Sequence, residues 1–150
     1  MKKINLNNFT ISNDKPFCLI AGPCVIESRD HILMMADKIN EICNNLKINF
    51  IFKSSFDKAN RSSIDGLRGL GLEKSLEIFQ EVKDIYKCPI ITDVHTENQC
   101  EIIGRSNSVD IIQIPAFLSR QTDLLISAGK TQKIVNVKKG QFSSPYDMSN

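Results

Sequence analysis

Short runs rich in Ile, Val and Phe alternate along this chain with stretches whose apolar residues recur every three or four positions, and the alternation persists from residue 16 to residue 138. This is the strongest constraint on the fold. A strand that is apolar at nearly every position must be covered on both faces, and the intervening helices are what cover it. Residues 16–21 read as a first strand, closed by Gly22-Pro23. From about Ser28, Ile32, Ala36, Ile39, Cys43 and Leu46 trace one face of a helix. Residues 49–52 form a second strand. A polar stretch from Lys53 to Gly71 follows, and then a second helical stripe runs through Leu72, Leu76, Phe79, Val82 and Tyr86. Residues 89–93, 109–114 and 133–138 complete the strands. Thr96-x-x-Gln99 has the capping-box form that opens a third helix, residues 122–130 supply a fourth, and Pro145 and Tyr146 begin another loop or helix.

Strands and helices in strict alternation imply an α/β fold with a parallel sheet, open or closed into a barrel. No shift of composition divides the chain, so residues 1–150 read as part of a single domain. Five strands cannot close the (β/α)₈ TIM barrel, which typically takes about 250 residues. On that fold the chain covers about the first five β/α units.

Several function classes are disfavoured. With 19 Lys and Arg against 17 Asp and Glu, the net charge of +2 does not mark a whole-surface polyanion binder, and no nucleic-acid partner is expected. The longest apolar stretches, such as residues 110–118, break off far short of the ~20 residues that cross a bilayer. The basic N-terminus lacks the apolar core of a secretory signal, so a cytoplasmic location is expected. The five cysteines, at 18, 24, 43, 88 and 100, include no C-x-x-C pair, which argues for reduced thiols rather than a disulfide framework or a structural zinc site.

In parallel α/β folds the strand-to-helix loops emerge at one edge of the sheet, so residues that follow each strand converge. Gly22, Pro23, Cys24 and Glu27 follow the first strand, and Lys53, Ser55, Asp57, Lys58, Asn60, Arg61 and Ser62 the second. Asp93 and His95 follow the third, Gln113, Pro115 and Arg120 the fourth, and Lys138, Lys139 and Gln141 the fifth. Cations outnumber acids at that edge, which suits a small anion carrying phosphate or carboxylate. For a single Lys the plainer reading is a solvated surface. The loop of residues 53–63 is different, because it mixes cations with small hydrogen-bonding residues over a length that a structural connection does not need. Cys24 taken alone is more often a packed thiol, and a lone Cys with a lone His95 defines no metal site. Gly69-x-Gly71 has no strand directly before it and fits helix entry better than a dinucleotide loop. His31, near the start of the first helix, is expected on the surface.

Five segments taken together resemble a known family. Leu19-Ile-Ala-Gly-Pro-Cys-Val-Ile-Glu-Ser28, Lys53-Ser-Ser-Phe-Asp-Lys-Ala-Asn-Arg-Ser-Ser63, Ile91-Thr-Asp-Val-His95, Ile112-Gln-Ile-Pro-Ala-Phe-Leu118 and Val135-Asn-Val-Lys-Lys-Gly-Gln-Phe142 are similar, in that order, to the 3-deoxy-D-manno-octulosonate 8-phosphate (KDO 8-phosphate) synthases. The related heptulosonate 7-phosphate synthases share Ala-Gly-Pro-Cys but usually carry a Lys-Pro-Arg-Thr-Ser type loop where this chain has Lys58-Ala-Asn-Arg-Ser62. The resemblance implies a TIM barrel, normally a homotetramer, that condenses phosphoenolpyruvate with D-arabinose 5-phosphate and water and releases phosphate for lipopolysaccharide synthesis. It places Lys53, Lys58, Gln113 and Lys138 on phosphoenolpyruvate, and Asn60, Arg61 and Ser62 on arabinose 5-phosphate. Arg61 and Ser62 would reach sugar bound in a neighbouring subunit. Asp93 would lie near the reacting aldehyde, with Asp93, Lys58 and Lys138 as the catalytic set. Cys24 matches the class of the family that depends on a divalent metal of the zinc, iron or manganese type. The family's other ligands, a His, a Glu and an Asp, lie outside these residues. The resemblance implies that the 150 residues alone are inactive and fold poorly. The alternatives are a non-catalytic half barrel that binds a phosphorylated ligand or partner subunit, and a heptulosonate synthase.

Overall fold

The structure, a computed structural model, describes residues 3–6, 8–59, 63 and 65–149. A small antiparallel hairpin, β1 (Ile4–Asn5) and β2 (Thr10–Ile11), precedes a parallel sheet of β3 (Cys18–Ala21), β4 (Asn49–Lys53), β5 (Ile90–Asp93), β6 (Ile111–Ile114) and β7 (Ile134–Val137). The spatial order β3-β4-β5-β6-β7 is the sequence order, which is the arrangement of consecutive units around a TIM barrel. Helices α1 (Arg29–Leu46), α2 (Leu72–Tyr86), α3 (Glu97–Arg105) and α4 (Thr122–Lys130) fill the crossovers. Short 3₁₀ turns at Ala116–Leu118 and Pro145–Ser149 complete the described residues.

The helices begin and end where local chemistry dictates. Ser28 and Thr96 stand in extended conformation and accept from the amides of His31 and Gln99, the N-cap arrangement that satisfies otherwise orphaned donors. The Gln99 side chain returns a bond at 2.7 Å, but to the amide of His95 rather than of Thr96. The box therefore also fastens the residue that ends the β5 loop. Lys47 and Lys87 take left-handed conformations (φ 54° and 53°) and close α1 and α2 on main-chain carbonyls.

Strand alternation divides the side chains into two layers. Phe50 and Phe52, Ile90, Ile112 and Ile114, with Val135 and Val137, face the helices and join Ile32, Ala36, Phe79, Val82, Ile103 and Leu124 in the main core. Each fully buried Phe or Ile there contributes roughly 1.5–3 kcal/mol. The opposite face carries Ile51, Ile91, Ile111 and Ile134 toward the strands' N-terminal ends, where Leu6, Phe9 and Ile11 of the hairpin segment cover them. The same face turns polar at the other end, with Lys53, Asp93, Gln113 and Asn136. The hairpin is fastened by the Asn8 side-chain amide, which donates to the carbonyl of Lys87.

Cys43, Cys88 and Cys100 are buried among these core groups, Cys18 is half-buried and Cys24 is exposed, all as free thiols. Burial pushes the Cys88 thiol up to about 11, so it behaves as an apolar residue. His31 departs from its expected surface position. It is half-buried, and its Nδ1 is covered without a hydrogen-bond partner. Among the described residues, no helix is long and apolar enough to cross a membrane.

Candidate functional site: a lysine-lined cleft at the sheet's C-terminal edge

Two tight turns bring the loops after β3 and β4 together. Gly22 has φ +154°, and a Cβ there would lie 2.0 Å from the carbonyl oxygen of Lys53, so only glycine allows the end of β3 to approach β4 this closely. The Ser54 hydroxyl then donates to the carbonyl of Pro23 at 2.9 Å, and the amide of Ile26 to that of Ser55 at 2.9 Å. These bonds hold Cys24 beside the end of β4. Across the sheet, the parallel register pairs Asp93 with Gln113 and Gln113 with Asn136.

The result is an open cleft of about 350 Å³ lined by Cys24, Lys53, Lys58, Asp93, His95, Phe117, Lys138 and Gln141, among others. Its floor is Asp93, a buried carboxylate. Lys53 Nζ lies 3.6 Å and Lys58 Nζ 3.7 Å from the same Asp93 oxygen, Oδ2. That oxygen also accepts from the Ser55 hydroxyl, while Oδ1 accepts from the Gln113 amide. Lys58 in turn donates to Ser55 Oγ at 2.8 Å, and Asn136 donates to Gln113 Oε1 at 2.9 Å.

Burial by itself pushes the Asp93 carboxyl up, but Lys53, the bonds from Ser55 and Gln113, and Lys58 outweigh it and hold the group below the usual carboxylate range. Lys53 moves the other way. Burial lowers it, Asp93 opposes, and Lys58 and Lys138 add to the lowering. The site thus gathers more positive charge than one carboxylate neutralises, and an incoming anion supplies the remainder. His95 packs edge-on against Phe56, with ring centroids 5.8 Å apart, and its Nδ1 is buried without a partner. Burial lowers its pKa, so the neutral ring is favoured.

Of the residues expected at this edge, Cys24, Lys53, Lys58, Asp93, Lys138, His95 and Gln141 come together in the cleft. Gln113 stands behind Asp93, 4% exposed and with both ends of its amide engaged. Asn60, Arg61 and Ser62 lie outside the described residues. Asp57 turns aside into a two-pronged pairing with Arg68, whose bond from Nε measures 2.8 Å. Glu27 and Arg120 are exposed. Asn136 received no role from the sequence, although one signal marks it: a polar residue on the inward-facing phase of an otherwise apolar strand. Ser55 is fully buried under the lysines, which a loop position does not reveal.

A divalent metal meets a limited donor set here. Among the described residues, no group of three His, Cys, Asp or Glu side chains stands together in a way that could hold an ion. Cys24 offers one exposed thiol at the cleft mouth, and one donor is not a metal site.

A five-stranded parallel run in sequence order, with a cationic cleft at its C-terminal edge, is the arrangement of consecutive units of a (β/α)-barrel. The sequence model of the DAHP synthetase I family matches residues 2–150, and the chain belongs to that family. It is 62% identical over 151 residues to the 2-dehydro-3-deoxyphosphooctonate aldolase of Rickettsia prowazekii (strain Madrid E), covering 100% of this chain and 54% of that protein. The protein of the same name from Rickettsia felis (strain ATCC VR-1525 / URRWXCal2) is 60% identical over 149 residues, covering 99% of this chain and 54% of its own length. The chain spans about half the length of the curated relatives it matches.

Proposed function

We propose that this chain is the N-terminal part of a synthase that condenses phosphoenolpyruvate with D-arabinose 5-phosphate and water, giving KDO 8-phosphate and inorganic phosphate. The observation that carries the reading is the convergence of Lys53 and Lys58 on buried Asp93, with Lys138 lining the same cleft. The names of the relatives support the octulosonate product over the heptulosonate one, as does Lys58-Ala-Asn-Arg-Ser62 in place of Lys-Pro-Arg-Thr-Ser.

On this reading Lys53, Lys58 and Lys138 hold the carboxylate and phosphate of phosphoenolpyruvate, with Gln113 behind them. Asn60, Arg61 and Ser62 hold the sugar phosphate. The reaction forms a bond from C3 of phosphoenolpyruvate to the aldehyde carbon, water adds at C2, and the bond from C2 to the phosphate oxygen breaks. Negative charge gathers on the aldehyde oxygen and on the departing phosphate. Fixed ammonium groups stabilise it without reorganising. Holding both substrates in one cleft removes most of the entropic barrier to their meeting. Asp93 keeps the lysines in place beside the aldehyde.

Cys24 is proposed as one ligand of a divalent zinc-, iron- or manganese-type ion, the remaining ligands coming from outside these residues. When bound, such an ion would orient water or the aldehyde as a Lewis acid. Elemental analysis tests the assignment: the wild-type protein purified from its own cells should carry near-stoichiometric metal and its Cys24→Asn variant little, whereas equal loading would remove Cys24 from the ligand set. The functional test is turnover by that protein, offered phosphoenolpyruvate with either arabinose 5-phosphate or erythrose 4-phosphate. Phosphate release with the five-carbon sugar alone is expected, with a native mass showing a subunit near twice this length in a tetramer. Turnover with erythrose 4-phosphate would move the assignment to a heptulosonate synthase. A stable 17 kDa subunit with no turnover would favour a half barrel that only binds. Residues 1–150 alone are expected to show no synthase activity.

A further inference from the structure

The hydrogen-bonded row under the cleft extends beyond the groups that face it. Asn136 Nδ2 donates to Gln113 Oε1 at 2.9 Å, Gln113 Nε2 donates to Asp93 Oδ1, the Ser55 hydroxyl donates to Asp93 Oδ2, and Lys58 donates to Ser55 Oγ at 2.8 Å. Each bond has a direction. A primary amide is nearly symmetric in shape, yet one end only donates and the other only accepts. An ionised Asp93 only accepts, so Gln113 must turn its NH₂ toward β5 and its oxygen toward β7. Asn136 meets that oxygen with an N–H. Sheet register places the three side by side, and strand alternation sends Asn136 inward while Val135 and Val137 go to the helices. Gln113 is buried, so water cannot replace a lost partner.

We propose that Asn136 is a positioning residue of this site: it locks the orientation of the Gln113 amide, and so keeps Asp93 an unprotonated acceptor that gathers Lys53 and Lys58 at the cleft floor. Without that N–H, the Gln113 oxygen is left buried and unpaired, and it regains a donor only if the amide turns over toward Asp93, where it opposes a carboxylate oxygen. Asp93 relieves the repulsion only by binding a proton, and a neutral Asp93 no longer holds the lysines. The charged and titratable groups around Asp93 are Lys53 and Lys58 from β4 and its loop, His95 beyond β5, and, lining the same cleft, Cys24 beyond β3 and Lys138 beyond β7. Substituting Asn136 changes none of them. The inference depends on the synthase reading only for its consequence in turnover.

The test is a ¹³C-carboxyl NMR titration of Asp93, read with the side-chain ¹⁵N amide signals of Gln113, in the wild-type protein and in Asn136→Asp and Asn136→Leu. In the wild type, the Gln113 NH₂ signals should follow the Asp93 titration. In Asn136→Asp, Gln113 lies between two carboxyl groups and can offer N–H to only one, so one of them should titrate about one pH unit or more above the ordinary range. Asn136→Leu should raise the Asp93 midpoint with no second acid present. Gln113 signals indifferent to Asp93 in the wild type, or Asp93 midpoints unchanged in both variants, would overturn the proposal. If neither variant folds, the wild-type Asn136 NH₂ signals decide the matter: they should follow the Asp93 titration through Gln113, and their indifference to it would overturn the proposal. Coupling without turnover of arabinose 5-phosphate would sink the synthase reading and leave this one standing, and turnover without coupling would do the reverse.

Discussion

Asp93 lies in a buried position that would ordinarily favour the neutral acid, and it stays ionised because two ammonium groups and two hydrogen-bond donors face it. This gives a pH signature. His95 and Asp93 both have folded-state values depressed below their unfolded ones. Each therefore contributes stability that is present above the unfolded value and is lost as pH falls toward the folded one. The loss should begin near the ordinary His value of about 6.5 and steepen below about 4, where carboxylates protonate. Thermal melts across that range check it, and His95→Phe should remove the upper step while leaving the lower; a variant that keeps both steps would contradict the assignment. Lys138 is exposed at the cleft edge, so its loss should spare the fold. On the proposed synthase reading, Lys138→Ala should weaken phosphoenolpyruvate binding about 10- to 100-fold, the worth of one charge-assisted bond of about 1.5–3 kcal/mol, measured by calorimetry with the melting temperature as control.

At the scale of elements, the site depends on how strand ends are joined to helices. Gly22→Ala would drive a methyl group into the Lys53 carbonyl, and since the obstacle is backbone, the end of β3 must move. A loss of at least about 2 kcal/mol in urea unfolding is expected, with a change in the cleft as well as in stability. Thr96→Ala removes a single N-cap acceptor and should cost about 1 kcal/mol with the cleft intact. The extent of α1 and α2 was legible from spacing, because an amphipathic stripe ends where its apolar residues stop recurring. The hairpin of β1 and β2 was not, since strands of two residues carry no period to detect. Nor was the return bond of Gln99 to His95, which depends on how the β5 loop approaches the helix.

For the whole molecule, the inward face of the sheet is apolar at one end and polar at the other. The hairpin segment covers the apolar end, and removing residues 1–11 should expose Ile51, Ile91 and Ile111 and raise binding of a hydrophobic dye well above that of the intact chain. Among the described residues, no strand pairs with the outer edge of β3 or of β7. Open edges recruit other strands, so residues 1–150 alone should associate with rising concentration in light scattering, and a monomer throughout would show that the edges are otherwise protected. The strand and helix alternation and the cations at one edge could be read from the sequence, because periodicity and loop position are local properties of a chain, whereas the barrel order followed from the family resemblance. The structure alone decided that Lys53 and Lys58 share one oxygen of Asp93, that Gln113 stands behind it while Asp57 turns away to Arg68, and that Asn136 completes the row. Those outcomes depend on parallel register and on which neighbours exclude water, and both are set only when strands distant in sequence lie side by side.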